Sequence, residues 1–208
     1  MSHMSTISIA NGKRFLFAIG SSIIVFVLII VIGGLTLPNN EIAWKALGVF
    51  DALTCSAILA AWFPGVNTFN KPSMKIIIIA LIVAVGFNYI NHLVGNIVSE
   101  KQYINEFNSF NVYGRVLYIL IVCLFAPISE EIYFRGLLFP IVSLRLGAPV
   151  GAILSAILFV LAHMSFDVVF MTIVYTCLVY RSKSVFTSMF AHISYNTIWM
   201  IRVLILHS

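Results

Sequence analysis

Of the 208 residues, 61% are hydrophobic and only 9% charged, whereas a soluble domain carries roughly a quarter charged residues. Apolar runs long enough to cross a bilayer recur along the whole chain, which points to an all-α polytopic transmembrane bundle with the lipid bilayer as its surroundings. The net charge of +5 is not read as nucleic-acid affinity, because the basic residues stand in ones and twos beside apolar segments, as they do in cytoplasmic loops.

Met1-Ser2-His3-Met4 reads as a tag scar over residues 1–3, which leaves 4–208 as a single transmembrane domain and removes His3 from consideration. The apolar stretch from Phe15 is too long for a signal-peptide core and lacks a small-residue cleavage site. It predicts a retained first helix over about 15–37, stopped by Pro38-Asn39-Asn40. A second helix is expected over about 42–63, ending at Pro64-Gly65, and a third over about 76–98. A polar stretch, 99–113, follows. The fourth helix runs over about 113–139, carries Pro127 and an acidic pair, and ends before Pro140; residues 141–146 form a short interfacial helix. Further helices are expected over about 149–166, 167–180 and 185–206. The count is about seven, with six and eight as neighbouring counts, since the sixth helix is short for a span.

Charge placement orients this bundle. With the N-terminus in the cytoplasm, the inner side collects Lys13, Arg14, Lys71, Lys75, Arg135, Arg145, Arg181 and Lys183. The outer side receives Glu41, Glu100, Lys101, Glu106, Arg115 and Asp167, as the positive-inside rule asks. Cys55, Cys123 and Cys177 lie inside apolar runs with neither metal spacing nor a disulfide framework, and are read as buried free thiols.

Ionisable residues are costly in lipid and usually face a cavity or a partner, so the buried polar inventory is where chemistry is sought. The fourth helix holds Ser129-Glu130-Glu131-Ile132-Tyr133-Phe134-Arg135-Gly136. Phe159 and His163 share a face of the fifth helix, and His192 and Asn196 a face of the seventh, each pair at i, i+4. Glu131 and Arg135 have the same spacing, ready for a salt bridge, while Glu130 lies about 100° round the helix and is free for general-base work. A base, a second base or orienter and an oxyanion donor pair are the parts needed for attack of water on an amide. Against this, Glu-Glu-Arg could be a structural ion-pair knot, and the histidines and Asn196 could be interhelical hydrogen-bond glue.

Glu130-Glu131-x-x-x-Arg135, Phe159-x-x-x-His163 and His192-x-x-x-Asn196, in that order and preceded by Ala126-Pro127, resemble the three-motif signature of the CPBP (CAAX protease and bacteriocin-processing, Abi) family, which includes the type II CAAX prenyl endopeptidases. The resemblance covers about 113–206, the expected catalytic core, and leaves the first three helices without a motif. It implies an intramembrane endopeptidase of the glutamate type. In that scheme Glu130, assisted by His163, activates a water; His192 and Asn196 stabilise the oxyanion; Glu131 and Arg135 brace the site. No cofactor and no metal are expected. The competing arrangement is a catalytic zinc held by Glu130, His163 and His192 with one position open, with Asp167 as an outer partner of a histidine, although Asp167 fits a helix cap better.

Other polar residues are set apart from the catalytic list. Asn88, His92 and Asn96, with Asn91 beside them, line one face of the third helix and read as interhelical hydrogen bonding or a hydrated path. Asp51 and Arg202 have no assignable partner, and the 17 phenylalanines read mostly as lipid-facing bulk. The expected substrate is a peptide or membrane protein in or beside the bilayer. The Ile- and Asn-rich, compact sequence leans bacterial, which favours a short secreted peptide, a bacteriocin or its leader over a prenylated C-terminal box. A non-catalytic immunity or regulatory protein that binds a peptide or partner membrane protein is the alternative. A proton-relay transporter comes third, with no inverted repeat to support it. The sequence sets no oligomeric state.

Overall fold

The computed structural model describes residues 12–37, 40–66, 68–94, 97–163 and 168–206, with the side chains of 91–102 and of 206 outside the description. Among these residues the chain forms eight helices and no strand. They are α1 (Gly12–Thr36), α2 (Glu41–Trp62), α3 (Met74–Val94), α4 (Ile97–Ser109), α5 (Val112–Leu146), α6 (Ala148–His163), α7 (Val169–Ser182) and α8 (Val185–Leu206). α1, α2 and α5 are long and apolar enough to cross a bilayer, while Met74–Ile90, α6 and α7 are shorter apolar helices. The lipid-facing character is plain on α1, where Leu16, Phe17, Ile24, Leu28, Val31 and Leu35 are exposed, a surface that only hydrocarbon would tolerate.

Packing follows the chain. α1 and α2 form an antiparallel hairpin, α5 and α6 another, α3 lies along α8, and α2 lies against the middle of α5. The α1–α2 crossing is close because Gly33 has no side chain; a Cβ there would sit 2.4 Å from Leu47 Cδ2. Asn40 caps α2 by accepting from the Ala43 N–H at 3.0 Å, and Asn111 caps α5 by accepting from Gly114 at 2.9 Å. α5 ends at Gly147, whose φ of 88° suits only glycine comfortably.

The predicted spans are found, the last one residue for residue. Two differences have physical causes. The polar stretch after α3 contains α4, an amphipathic helix that buries Ile104 and Phe107 and turns its polar face outwards. Charged and amide side chains break up its sequence, so a search for long apolar runs passes over it. Residues 113–146, expected as a helix and a separate interfacial piece, form the continuous helix α5, because the backbone absorbs both prolines. Pro127 follows a wide π turn, Ile121–Phe125, in which the Ala126 N–H bonds the Ile121 carbonyl. That choice, with the N–H that Pro127 lacks, leaves the Val122 carbonyl free, and Asn196 Nδ2 donates to it at 2.8 Å. Pro140 follows a second π turn, Ile132–Leu138. The Gly136 carbonyl, four residues before it, accepts from Thr68 Oγ1 at 2.8 Å instead.

The remaining expectations divide. Pro38, Asn39, His92, Asn96, Asp167, residues 1–3 and the side chain of Asn91 lie outside the described residues or side chains. Asn88 Nδ2 donates to the Tyr195 carbonyl at 2.9 Å, and Arg202 Nη1 donates to the Asn88 carbonyl at 3.0 Å, so both join α3 to α8. All three cysteines are free, but Cys177 is exposed on the outer surface of α7 rather than buried like Cys55 and Cys123. The phenylalanines divide evenly: Phe15, Phe63, Phe87, Phe107, Phe134, Phe139 and Phe159 are in the core, while Phe17, Phe50, Phe69, Phe125, Phe170, Phe186 and Phe190 are exposed.

Candidate active site

The centre of the bundle is organised round the π turns of α5. Glu131 and Arg135 are fully buried and joined through Glu131 Oε1 and Arg135 Nη1 at 3.0 Å. The same Oε1 receives His192 Nδ1 of α8, also at 3.0 Å, so one carboxylate oxygen ties two turns of α5 to α8. On its far side the guanidinium donates through Nη2 to Thr172 of α7, to the threonine hydroxyl and carbonyl. A buried ion pair is steadied by further hydrogen bonds to its polar atoms; Thr172 engages Arg135 Nη2, while Glu131 Oε2 and Arg135 Nε have no hydrogen-bond partner among the described residues.

Glu130 faces the other way, partly exposed, and meets two imidazoles. His163 Nε2 lies 3.6 Å and His192 Nε2 3.9 Å from Glu130 Oε2. The other nitrogen of each ring is already committed. His163 Nδ1 is 2.9 Å from the Phe159 carbonyl, which can only accept, so Nδ1 carries the hydrogen. His192 Nδ1 likewise donates to the Glu131 carboxylate. In the neutral rings both Nε2 atoms therefore present lone pairs towards Glu130, with gaps too long for direct hydrogen bonds.

Phe159 fixes this arrangement from below. Its ring stacks on His163 at a centroid separation of 4.2 Å, and the Arg135 guanidinium lies over it at 4.3 Å. One aromatic ring thus spaces the cation from the imidazole. Ser155 of α6 donates to the Phe134 carbonyl at 3.0 Å, closing α6 against the second π turn.

A cavity of about 270 Å³ opens from Glu130, His163, His192 and Asn196 towards Tyr103 and Trp199 at the α4 end of the bundle. A second, of about 370 Å³, lies between α1, α2, α5 and α6 and shares Glu130 and His163 as walls. The centre is therefore reached from two directions.

The residues singled out in sequence fall as follows. Glu130, Glu131, Arg135, His163 and His192 are brought together. Asn196 lines the first cavity, with one amide hydrogen committed to Val122 and a second N–H remaining. Sequence reasoning missed the Glu131–His192 bond, Thr172 and Tyr175, whose ring lies 5.4 Å from that of His192. Thr172 and Tyr175 sit in α7 at no spacing that marks them, and only a buried arginine in search of partners could have drawn attention to that helix. Among the described residues no three His, Cys, Asp or Glu side chains meet in a geometry suited to a metal ion.

Fold and site together define a multi-pass membrane protein with a carboxylate–imidazole centre inside its helices. Residues 113–198 match the family model described as type II CAAX prenyl endopeptidase Rce1-like. This region, which holds all three motifs and α5 to most of α8, is similar to that family over somewhat less than half of the chain. No curated protein and no solved structure matches the chain.

Proposed function

We propose that the protein is a glutamate-type intramembrane endopeptidase that hydrolyses a peptide bond in a membrane-associated or secreted peptide. The observation that carries this reading is the convergence of Glu130 Oε2 with two imidazole nitrogens at 3.6 and 3.9 Å, each imidazole held by its opposite nitrogen. A water fits where these atoms converge. Glu130 accepts a proton from it as the oxygen attacks the carbonyl carbon, with His163 Nε2 accepting the second water hydrogen as a hydrogen bond. The tetrahedral oxyanion is met by the free N–H of Asn196 and by Nε2 of His192 in its protonated form, whose Nδ1–H the Glu131 carboxylate accepts. Glu130 then gives its proton to the departing amine as the C–N bond breaks. Arg135 holds Glu131 in an ion pair and out of the reaction, so the two adjacent carboxylates have separate duties.

The joined loops on one side of the bundle support the N-terminus-inside orientation. Asn70 Nδ2 donates to the Lys183 carbonyl at 2.9 Å, so the segment with Lys71 and Lys75 lies beside the α7–α8 turn with Arg181 and Lys183, as one cytoplasmic basic face would. A bacterial cell membrane and a short secreted peptide or leader fit this reading.

The test is comparative mass spectrometry of membrane and secreted peptides from cells carrying the wild-type protein or the Glu130→Gln variant. Peptides that lose a terminus only in the wild type are expected. Full biological function of the folded Glu130→Gln variant would favour the alternative, a non-catalytic immunity or regulatory protein. Stoichiometric zinc in the purified protein, with activity lost to a chelator and restored by zinc, would replace the glutamate scheme with a metal-assisted one.

A further inference from the structure

The second cavity holds a group that the proposed hydrolysis does not use. Asp51, in the middle of α2, is 4% exposed and lines the cavity. Its partner is Cys55, whose thiol lies 3.3 Å from Asp51 Oδ1 and is shared with the Ser22 carbonyl at the same distance. A thiol is a weak donor. No ion pair with Asp51 is found among the described residues, in contrast to Glu131, which holds Arg135 and His192 on one oxygen. A carboxylate at this depth without a cation is costly, and such a residue ordinarily has a partner.

The rest of the cavity states what that partner must look like. Phe26, Ile29 and Ile30 of α1, Trp44 and Leu47 of α2 and Leu161 of α6 make its walls apolar. Its volume of about 370 Å³ lies within the range of ligand pockets, about 300–1,000 Å³. Glu130 and His163 form its boundary with the first cavity. A chain whose amide bond sits at Glu130 can therefore send a neighbouring side chain between α1 and α2 towards Asp51.

Resting on the protease reading, we propose that this cavity is a specificity pocket for a lysine or arginine next to the scissile bond. The methylene stem runs along the apolar walls and the cation meets Asp51, the division of labour that long basic side chains adopt at apolar surfaces. An aliphatic side chain of equal length would fill the walls and leave Asp51 without a charge partner, so discrimination comes from the carboxylate. Cys55 and Ser22 hold Asp51 in place and do not themselves select.

The experiment reads binding, separately from turnover. Blocked hydrophobic tripeptides with lysine or norleucine at the centre are titrated calorimetrically into Glu130→Gln protein in nanodiscs, and into the same protein carrying Asp51→Asn. The lysine peptide is expected to bind more tightly than the norleucine peptide by about thirtyfold, the lower end of what truncating one member of a buried charge pair costs. Asp51→Asn, checked for an unchanged thermal unfolding midpoint, is expected to abolish that preference. Equal affinities in the parent, absence of saturable lysine-peptide binding, or a lysine preference that survives Asp51→Asn overturns the pocket. Because Glu130 is already replaced, loss of the protease reading would appear in the peptide mass spectra and not in this titration.

Discussion

Glu130 and Glu131 are adjacent in sequence and belong to two differently built regions of the site. The Glu131 side is closed: a carboxylate, a guanidinium and the back of an imidazole interlock in the interior, with Thr172 against the guanidinium. The Glu130 side is open: its side chain is 20% exposed, it borders two cavities, and its imidazole neighbours stop short of hydrogen-bond distance. One region ties its charges to one another in the interior, and the other leaves Glu130 where two cavities meet. The Glu131 half fixes the ring whose far nitrogen faces Glu130.

Exchanging roles tests this division most directly. Glu130→Gln is expected to lower peptide hydrolysis in proteoliposomes by about a thousandfold, within the range for a positioned general base, and to leave the unfolding midpoint unchanged. Glu131→Gln is expected to do the reverse in kind: it strands Arg135 and costs about 3 kcal/mol of stability, read by denaturant unfolding, with activity falling through misplacement of His192. Equal loss of stability in both variants would erase the distinction between the two regions. A smaller effect refines it. Asn196→Ala frees the Val122 carbonyl, which is expected to cost about 2 kcal/mol, and the proposed oxyanion role adds a fall of about a hundredfold in kcat with KM unchanged. A stability loss with kcat intact would confine Asn196 to holding the π turn.

The weakest effect lies at the rim. Glu106 of α4 is pushed up to about 7 by burial and by the neighbouring Glu41 carboxylate, with Lys45 opposing the rise. The folded state thus holds a proton that the unfolded chain, titrating at the ordinary value of 4.5, has already lost. Stability contributed by this group is present at low pH and declines as pH rises from about 4.5 through 7. Hydrogen exchange of α4 is expected to quicken over that window, and Glu106→Gln to remove the dependence. Faster exchange at lower pH, after correction for the intrinsic rate, would contradict it.

What was legible in the sequence was what helical period alone can carry. Apolar length gave the spans, and i, i+4 spacing put Glu131 with Arg135, Phe159 with His163 and His192 with Asn196 on shared faces. Relations between helices were not legible in the same way. That Glu131 rather than Glu130 would hold His192 depends on how a wide turn rotates α5. That Asn196 would bond a backbone carbonyl depends on Ala126 choosing the Ile121 oxygen. α4 escaped because an amphipathic helix has no long apolar run, and Cys177 because an apolar sequence in lipid does not say which side chains face inwards.

The π turn over Ile121–Phe125 also makes segment length a phase setting. One residue in an α-helix is worth about 100° of rotation, so the extra residue of this turn is what aims the next two turns. Were the Ala126 N–H to return to α-helical pairing with every residue kept, the acidic pair would swing round the axis away from α6 and α8. In this stretch of the chain, substitutions of the apolar side chains should be far easier to absorb than an added residue, which the already widened turn has no room to take up.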